Sequence, residues 1–220
     1  VLPGKSLNLL FIVTAILYIA AIPLKPYLFD PLLKIIPLFV LLAAAYGQLS
    51  GKIRLLGILA ILLCAFGDAL LTQSFPNSFI YGLGSFLVGH IIYLIAFLQF
   101  ANRQFFIVKV IMSVVVAVTA IALSLVILPA TNDLLIPVAA YICIITSMVI
   151  VGFFAWSKSM LHIAGAIMFM VSDATLAWNM FLEPLPFAAF AVMITYYIAQ
   201  FFMVAGLIKL FTDRQIHSSL

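Results

Sequence analysis

Apolar runs about as long as a bilayer is thick recur along this chain, and short polar clusters separate them. The clusters at Ile22-Pro23-Leu24-Lys25-Pro26, Phe75-Pro76-Asn77, Pro129 to Asp133 and Glu183-Pro184-Leu185-Pro186 end helices by removing a backbone donor or fixing φ. Breaking the chain at these and the charged clusters predicts helices over 7–23, 32–49, 53–72, 79–100, 106–128, 134–156, 160–182 and 186–210. The runs are nearly continuously apolar rather than alternating, so they predict spanning helices and not barrel strands. Tight loops make sequence neighbours antiparallel. The expected fold is all-α: one domain over 1–220, a bundle of eight transmembrane helices.

Composition sharpens that picture. Of 220 residues, 67% are apolar and 7% are charged, against about 25% charged in a soluble domain. Mean hydropathy is +1.37. A water-facing surface cannot be built from so few charges, which excludes a soluble globular domain. The net charge of +4 does not mark a nucleic-acid partner, because the basic residues are scattered rather than clustered with aromatics. They follow topology instead. Lys5, Lys52, Arg54, Arg103, Lys109, Lys158, Lys209 and Arg214 fall on one side of an eight-span arrangement, and Lys25, Asp30, Asp133 and Glu183 on the other. The positive-inside rule then predicts both termini in the cytoplasm. The first apolar run, behind Lys5 and ending near Ala20-Ala21, has some features of a secretory signal, but a first span fits better. Compact loops favour a bacterial plasma membrane. Cys64 and Cys143 each lie in an apolar run, and neither a disulfide nor a thiolate metal site is expected.

Phe66-Gly67-Asp68-Ala69-Leu70-Leu71 in the third span resembles Val171-Ser172-Asp173-Ala174-Thr175-Leu176 in the seventh. Such a match predicts a 4+4 repeat with both halves in the same orientation. It also draws attention to the two aspartates. Within the spans the ionisable groups are Lys34, Asp68, His90 and Asp173, with His162 near a cytoplasmic end. Each aspartate or lysine at a helix centre costs about 2.5–3.5 kcal/mol on insertion, so such groups face the bundle interior, find partners and mark function. Counting along the helices sets Asp68 roughly 6 Å from its outer end, Asp173 roughly 13 Å, His90 roughly 16 Å and Lys34 about one turn. Thr72 follows Asp68 by one turn and Tyr93 follows His90, while Tyr196, Tyr197 and Gln200 make a polar stripe on the eighth span. His162 reads as a solvated loop-end histidine, and His217 carries no signal. Gly82, Gly84 and Gly89 read as close helix packing. There is no GxGxxG, Walker lysine, GxSxG or HExxH.

Two carboxylates in a low-dielectric cavity favour one protonated and one ionised group at neutral pH, a pair suited to hydrolysing an acid-labile bond through an oxocarbenium-like state. Lys34 can hold one carboxylate ionised or bind a phosphate.

Lys34-Ile-Ile-Pro37, Phe66 to Leu71, Gly89-His90-Ile91-Ile92-Tyr93, Ser172 to Leu176 and Thr195-Tyr196-Tyr197-Ile198-Ala199-Gln200 resemble, in order and spacing, the lysoplasmalogenase family of YhhN-like eight-span membrane proteins. The resemblance implies hydrolysis of the vinyl-ether bond of a lysoplasmalogen to a fatty aldehyde and glycerophosphoethanolamine or glycerophosphocholine, without metal or other cofactor. Its partners would be the lysophospholipid, membrane lipid and water. Asp68 and Asp173 are the expected catalytic pair, with Asp173, deeper by helix counting, as the acid. Lys34, His90, Tyr93, Tyr196, Tyr197 and Gln200 are the expected substrate-binding residues. Two other readings use the same residues. A small proton-coupled transporter would also need intramembrane carboxylates, although the prolines cluster in loops rather than breaking helices. A metal-dependent lipid hydrolase would use His90, Asp68 and Asp173 as ligands, but only one histidine lies at the right depth.

Overall fold

The computed structural model describes Leu2, residues 4–155 and residues 157–218. Within them eight long helices follow the eight apolar runs: α1 (Lys5–Ala21), α2 (Asp30–Gln48), α3 (Gly51–Leu71), α4 (Ser78–Leu98), α5 (Phe106–Ile127), α6 (Leu135–Phe154), α7 (Leu161–Phe181) and α8 (Ala188–Ser218). All eight are long and apolar enough to cross a membrane. Single 3₁₀ turns occupy Ile22–Leu24, Leu128–Ala130 and Asn132–Leu134, where prolines and Asp133 interrupt the apolar pattern. Gly51 turns the chain from α2 into α3 with φ of 53°, a conformation that a residue lacking Cβ adopts without strain.

The ends differ from the expected spans in two places. The eighth helix runs past 210 to Ser218, and its polar extension is tied down: the Ser157 hydroxyl and the Lys158 N–H donate to Asp213, and Arg214 donates to the Gln99 carbonyl. The sixth ends at Phe154, and Trp156, its expected last residue, lies outside the described residues. The side chain of His217 lies outside them too.

Bundle contacts are closest in two antiparallel pairs, α3 with α4 and α7 with α8. Small residues explain both. A Cβ on Gly67 would fall 2.6 Å from the Phe86 ring and one on Gly165 2.6 Å from the Met203 nitrogen, so larger side chains at these crossings would force the backbones apart. Gly206 lies against the His162 backbone in the same way. His162 is therefore not the solvated loop-end residue expected from its flanking lysine and serines. It is buried in the α7–α8 contact, with Nε2 at 3.1 Å from the Gly152 carbonyl and 3.3 Å from that of Ala155.

Basic side chains gather at one end of the bundle. Lys109, in the first turn of α5, reaches back to the Asn102 side chain at 2.9 Å and to the Phe154 carbonyl at the end of α6, where a cation meets unpaired carbonyls and the negative end of the helix dipole. The lipid-facing side is equally plain: most of α5 exposes Val, Ile, Leu and Met, in keeping with a solvent of acyl chains.

Candidate active site

Near the end of the bundle away from the cluster of basic residues, a cavity of about 500 Å³ is lined by residues of all eight long helices. That volume falls within the range of small-molecule sites. Its lining is mostly apolar, and the few polar groups converge in two places.

The first is the wall built by α2, α3 and α8. Lys34 on α2 reaches Asp68 on α3, Nζ to Oδ1 at 2.9 Å, and both residues are buried, with 8% and 2% of their surfaces exposed. Pro37 sits inside α2, one turn after Lys34. Having no N–H, it leaves the Leu33 carbonyl, four residues back, without its helical donor, and at the next carbonyl, that of Lys34, α2 accepts a hydrogen bond of 2.8 Å from the Tyr197 hydroxyl. Pro37 is thus an exception to the clustering of prolines in loops, and α2 continues through it. Behind Asp68 runs a buried chain of polar groups. Tyr93 donates to Gln200 Oε1 at 3.3 Å, and Gln200 Nε2 donates to the Tyr196 hydroxyl at 3.2 Å. That hydroxyl lies against Asp68, whose Oδ2 has no hydrogen bond of full geometry.

The second place is the facing wall of α6 and α7. Asp173 on α7 accepts a hydrogen bond of 2.6 Å from the Tyr141 hydroxyl on α6. Among the described residues no basic side chain lies within ion-pair distance of Asp173. Ser172 beside it is turned away and donates to the Val192 carbonyl at 3.0 Å, pinning α7 to α8. Asp173 is partly accessible through the cavity, Asp68 almost not at all.

Lys34, Asp68, Asp173 and Tyr196 therefore line one cavity, as does none of the other expected binding residues. Tyr93, Tyr197 and Gln200 stand behind the α2–α3 wall as supports. His90 is fully buried between rings, 4.4 Å from the Phe169 centroid and 5.4 Å from that of Tyr141. Neither of its ring nitrogens makes a well-formed hydrogen bond, although the Phe86 carbonyl one turn earlier lies near the ring. Tyr141, Tyr18 and Lys25 line the cavity and were not anticipated. Tyr18 and Tyr141 are each the lone tyrosine of an apolar helix, a weak signal that a phenol with one satisfied hydroxyl gives anywhere in a bundle. In the sequence Lys25 reads only as a loop charge. Among the described residues no group of three or more His, Cys, Asp or Glu converges as a metal site.

The model of the YhhN family matches residues 29–207, the greater part of the chain and every candidate residue from Lys34 to Gln200. The chain belongs to the YhhN family. It is 34% identical over 201 residues to the lysoplasmalogenase TMEM86B of Sus scrofa, covering 90% of this chain and 84% of that protein. It is 32% identical over 150 residues to the lysoplasmalogenase TMEM86B of Homo sapiens, covering 68% of this chain and 62% of the relative, and 30% identical over 189 residues to that of Mus musculus, covering 84% and 78%. No solved structure matches. These YhhN-family relatives are mammalian, so the expected bacterial plasma membrane has no support from them; the eight apolar helices mark a multi-pass membrane protein.

Proposed function

We propose that this YhhN-family chain is a lysoplasmalogenase, an alkenyl-ether hydrolase that splits lysoplasmalogen with water into a fatty aldehyde and a glycerophospho-alcohol such as glycerophosphoethanolamine or glycerophosphocholine. The observation that carries the reading is the pair of carboxylates on one cavity in unlike surroundings, Asp68 with a lysine and Asp173 with a phenol. Relatives named lysoplasmalogenase support the same reading.

The chemistry follows from that asymmetry. An ammonium at 2.9 Å holds Asp68 as the carboxylate, while Asp173 has a neutral hydrogen-bond donor only and carries the proton. Asp173 transfers that proton to the vinyl-ether carbon distal to oxygen, and the carbon next to oxygen becomes an oxocarbenium. Asp68 stabilises this cation electrostatically and takes a proton from the attacking water, so that a hemiacetal forms. The hemiacetal then collapses: its hydroxyl proton returns to Asp173 as the carbonyl forms, and the proton held on Asp68 goes to the departing glycerol oxygen. Both carboxyl groups end as they began, with one water consumed. Ester-linked lysophospholipid has no electron-rich alkene to protonate and is not a substrate. Tyr196, buttressed by Gln200 and Tyr93, fixes Asp68, and Tyr141 fixes Asp173. The basic end of the bundle is assigned to the cytoplasm, which sets the cavity toward the opposite leaflet.

The test is release of fatty aldehyde by purified protein in detergent from a lysoplasmalogen, beside its ester analogue, with and without chelator. Aldehyde from the vinyl ether alone, unchanged by chelation, is the expected result. Absence of aldehyde from folded protein would contradict the reading and favour proton-coupled transport.

A further inference from the structure

The cavity has a polar mouth distinct from the carboxylate pair. Lys25, in the loop after α1, lines it together with Tyr18, Gln73 and Ser78, at the end of the bundle where α1 and α3 stop and α4 starts. The Lys25 ammonium spends two of its three N–H donors inside the protein: Nζ donates to the Tyr18 hydroxyl at 2.8 Å and pairs with Asp30 Oδ2 at 3.1 Å. Its side chain is 35% exposed and lines the cavity, and no protein partner takes the third donor among the described residues. The other cation on the cavity wall, Lys34, is buried and pointed at Asp68. The opposite flank of the cavity is apolar, with Leu123 and Ile127 of α5, Ile142 and Ile145 of α6 and Ala177 of α7.

We propose that Lys25 recognises the phosphodiester of the substrate headgroup, with the alkenyl chain running along the α5–α7 flank and the vinyl ether between Asp68 and Asp173. This assignment rests on the hydrolase reading and deepens it. A phosphodiester brings one negative charge that the third N–H can meet by a charge-assisted hydrogen bond. Asp30 keeps the net charge of the lip at zero, which suits a headgroup that carries its own cation. The Tyr18 hydroxyl holds the ammonium over the cavity, and the Lys25 ammonium also rests 5.1 Å from the Tyr18 ring centroid. Both Tyr18 and Lys25 precede the stretch matched by the family model, so headgroup recognition here is built from a part of the chain that the model does not cover.

The experiment compares kcat/KM of the purified full chain for an alkenyl-glycerophosphocholine and for the corresponding 1-alkenylglycerol, which has the same vinyl ether and no phosphate. Wild type should favour the phospholipid by roughly tenfold or more, the size of one charge-assisted contact. Lys25→Gln should collapse that ratio toward one, chiefly through KM for the phospholipid, and Lys25→Arg should retain most of it. A wild-type ratio near one, or an equal loss on both substrates in Lys25→Gln, would overturn the assignment while leaving the hydrolase reading intact. No aldehyde from either substrate would overturn both.

Discussion

Asp68 and Asp173 are each followed by Ala and each sit on a helix of a close pair, yet their neighbours are opposite in kind. Asp68 lines the cavity with little exposure, set against an ammonium and backed by a polar chain that runs from Tyr196 through Gln200 to Tyr93. Asp173 faces the cavity with one phenol. A buried carboxylate alone in lipid would be a liability. In the proposed mechanism the same side chain type supplies a fixed anion on one wall and a proton donor on the other, and that division of labour comes from what surrounds each group rather than from the group itself.

The largest effect is expected from removing the anion. Asp68→Asn should lower kcat by roughly 10²–10⁴-fold, the span of a lost acid–base group, and should also destabilise the protein because Lys34 is left buried without a partner. Lys34→Met leaves the converse, an unpaired carboxylate, and should cost about 3–5 kcal/mol in a detergent unfolding assay. The double variant Lys34→Met/Asp68→Leu should recover most of that stability and none of the activity, which separates the structural role of the ion pair from its chemical one. If the double variant were no more stable than Lys34→Met, the pairing would not be what holds the α2–α3 wall.

On the other wall the expected effect is smaller. Tyr141→Phe removes one hydrogen bond to Asp173 and should reduce kcat by up to about tenfold with KM little changed, since a hydrogen bond between neutral groups contributes about 0.5–1.5 kcal/mol. An unaltered kcat would show that Tyr141 does not position the acid. Smaller again, Gln200→Leu should reduce kcat several-fold, because Tyr196 would still reach Asp68 but with its hydroxyl no longer anchored by the amide. Chelator should have no effect on any of these rates.

How much of this was legible beforehand divides along physical lines. Apolar run length and proline or aspartate breakers are local properties, so the helix ends can be read from the sequence to within a few residues, as at α3 and α7, except at the polar end of α8. Ionisable residues in lipid are costly wherever they fall, so Lys34, Asp68 and Asp173 stand out without any knowledge of packing. What the sequence does not carry is which wall each residue joins. The meeting of Lys34 with Asp68 and of Tyr141 with Asp173 depends on helix rotation, set by glycine contacts such as Gly67 against Phe86 and Gly165 against α8. The same contacts draw His162 into the bundle against its local polarity and set Tyr93, Tyr197 and Gln200 behind the cavity rather than in it. The contact of the Tyr197 hydroxyl with the Lys34 carbonyl, in the turn before Pro37, likewise joins α8 to α2 and has no trace in the local sequence.

The central claim is that Asp173 delivers the proton, and the most direct measurement is aldehyde release from a lysoplasmalogen by Asp173→Asn under single-turnover conditions, with wild type alongside and unfolding curves showing both proteins folded. The account predicts a fall of roughly 10²-fold or more in the rate of the chemical step, with substrate affinity little changed. A rate near that of wild type would contradict it and remove Asp173 from the chemistry.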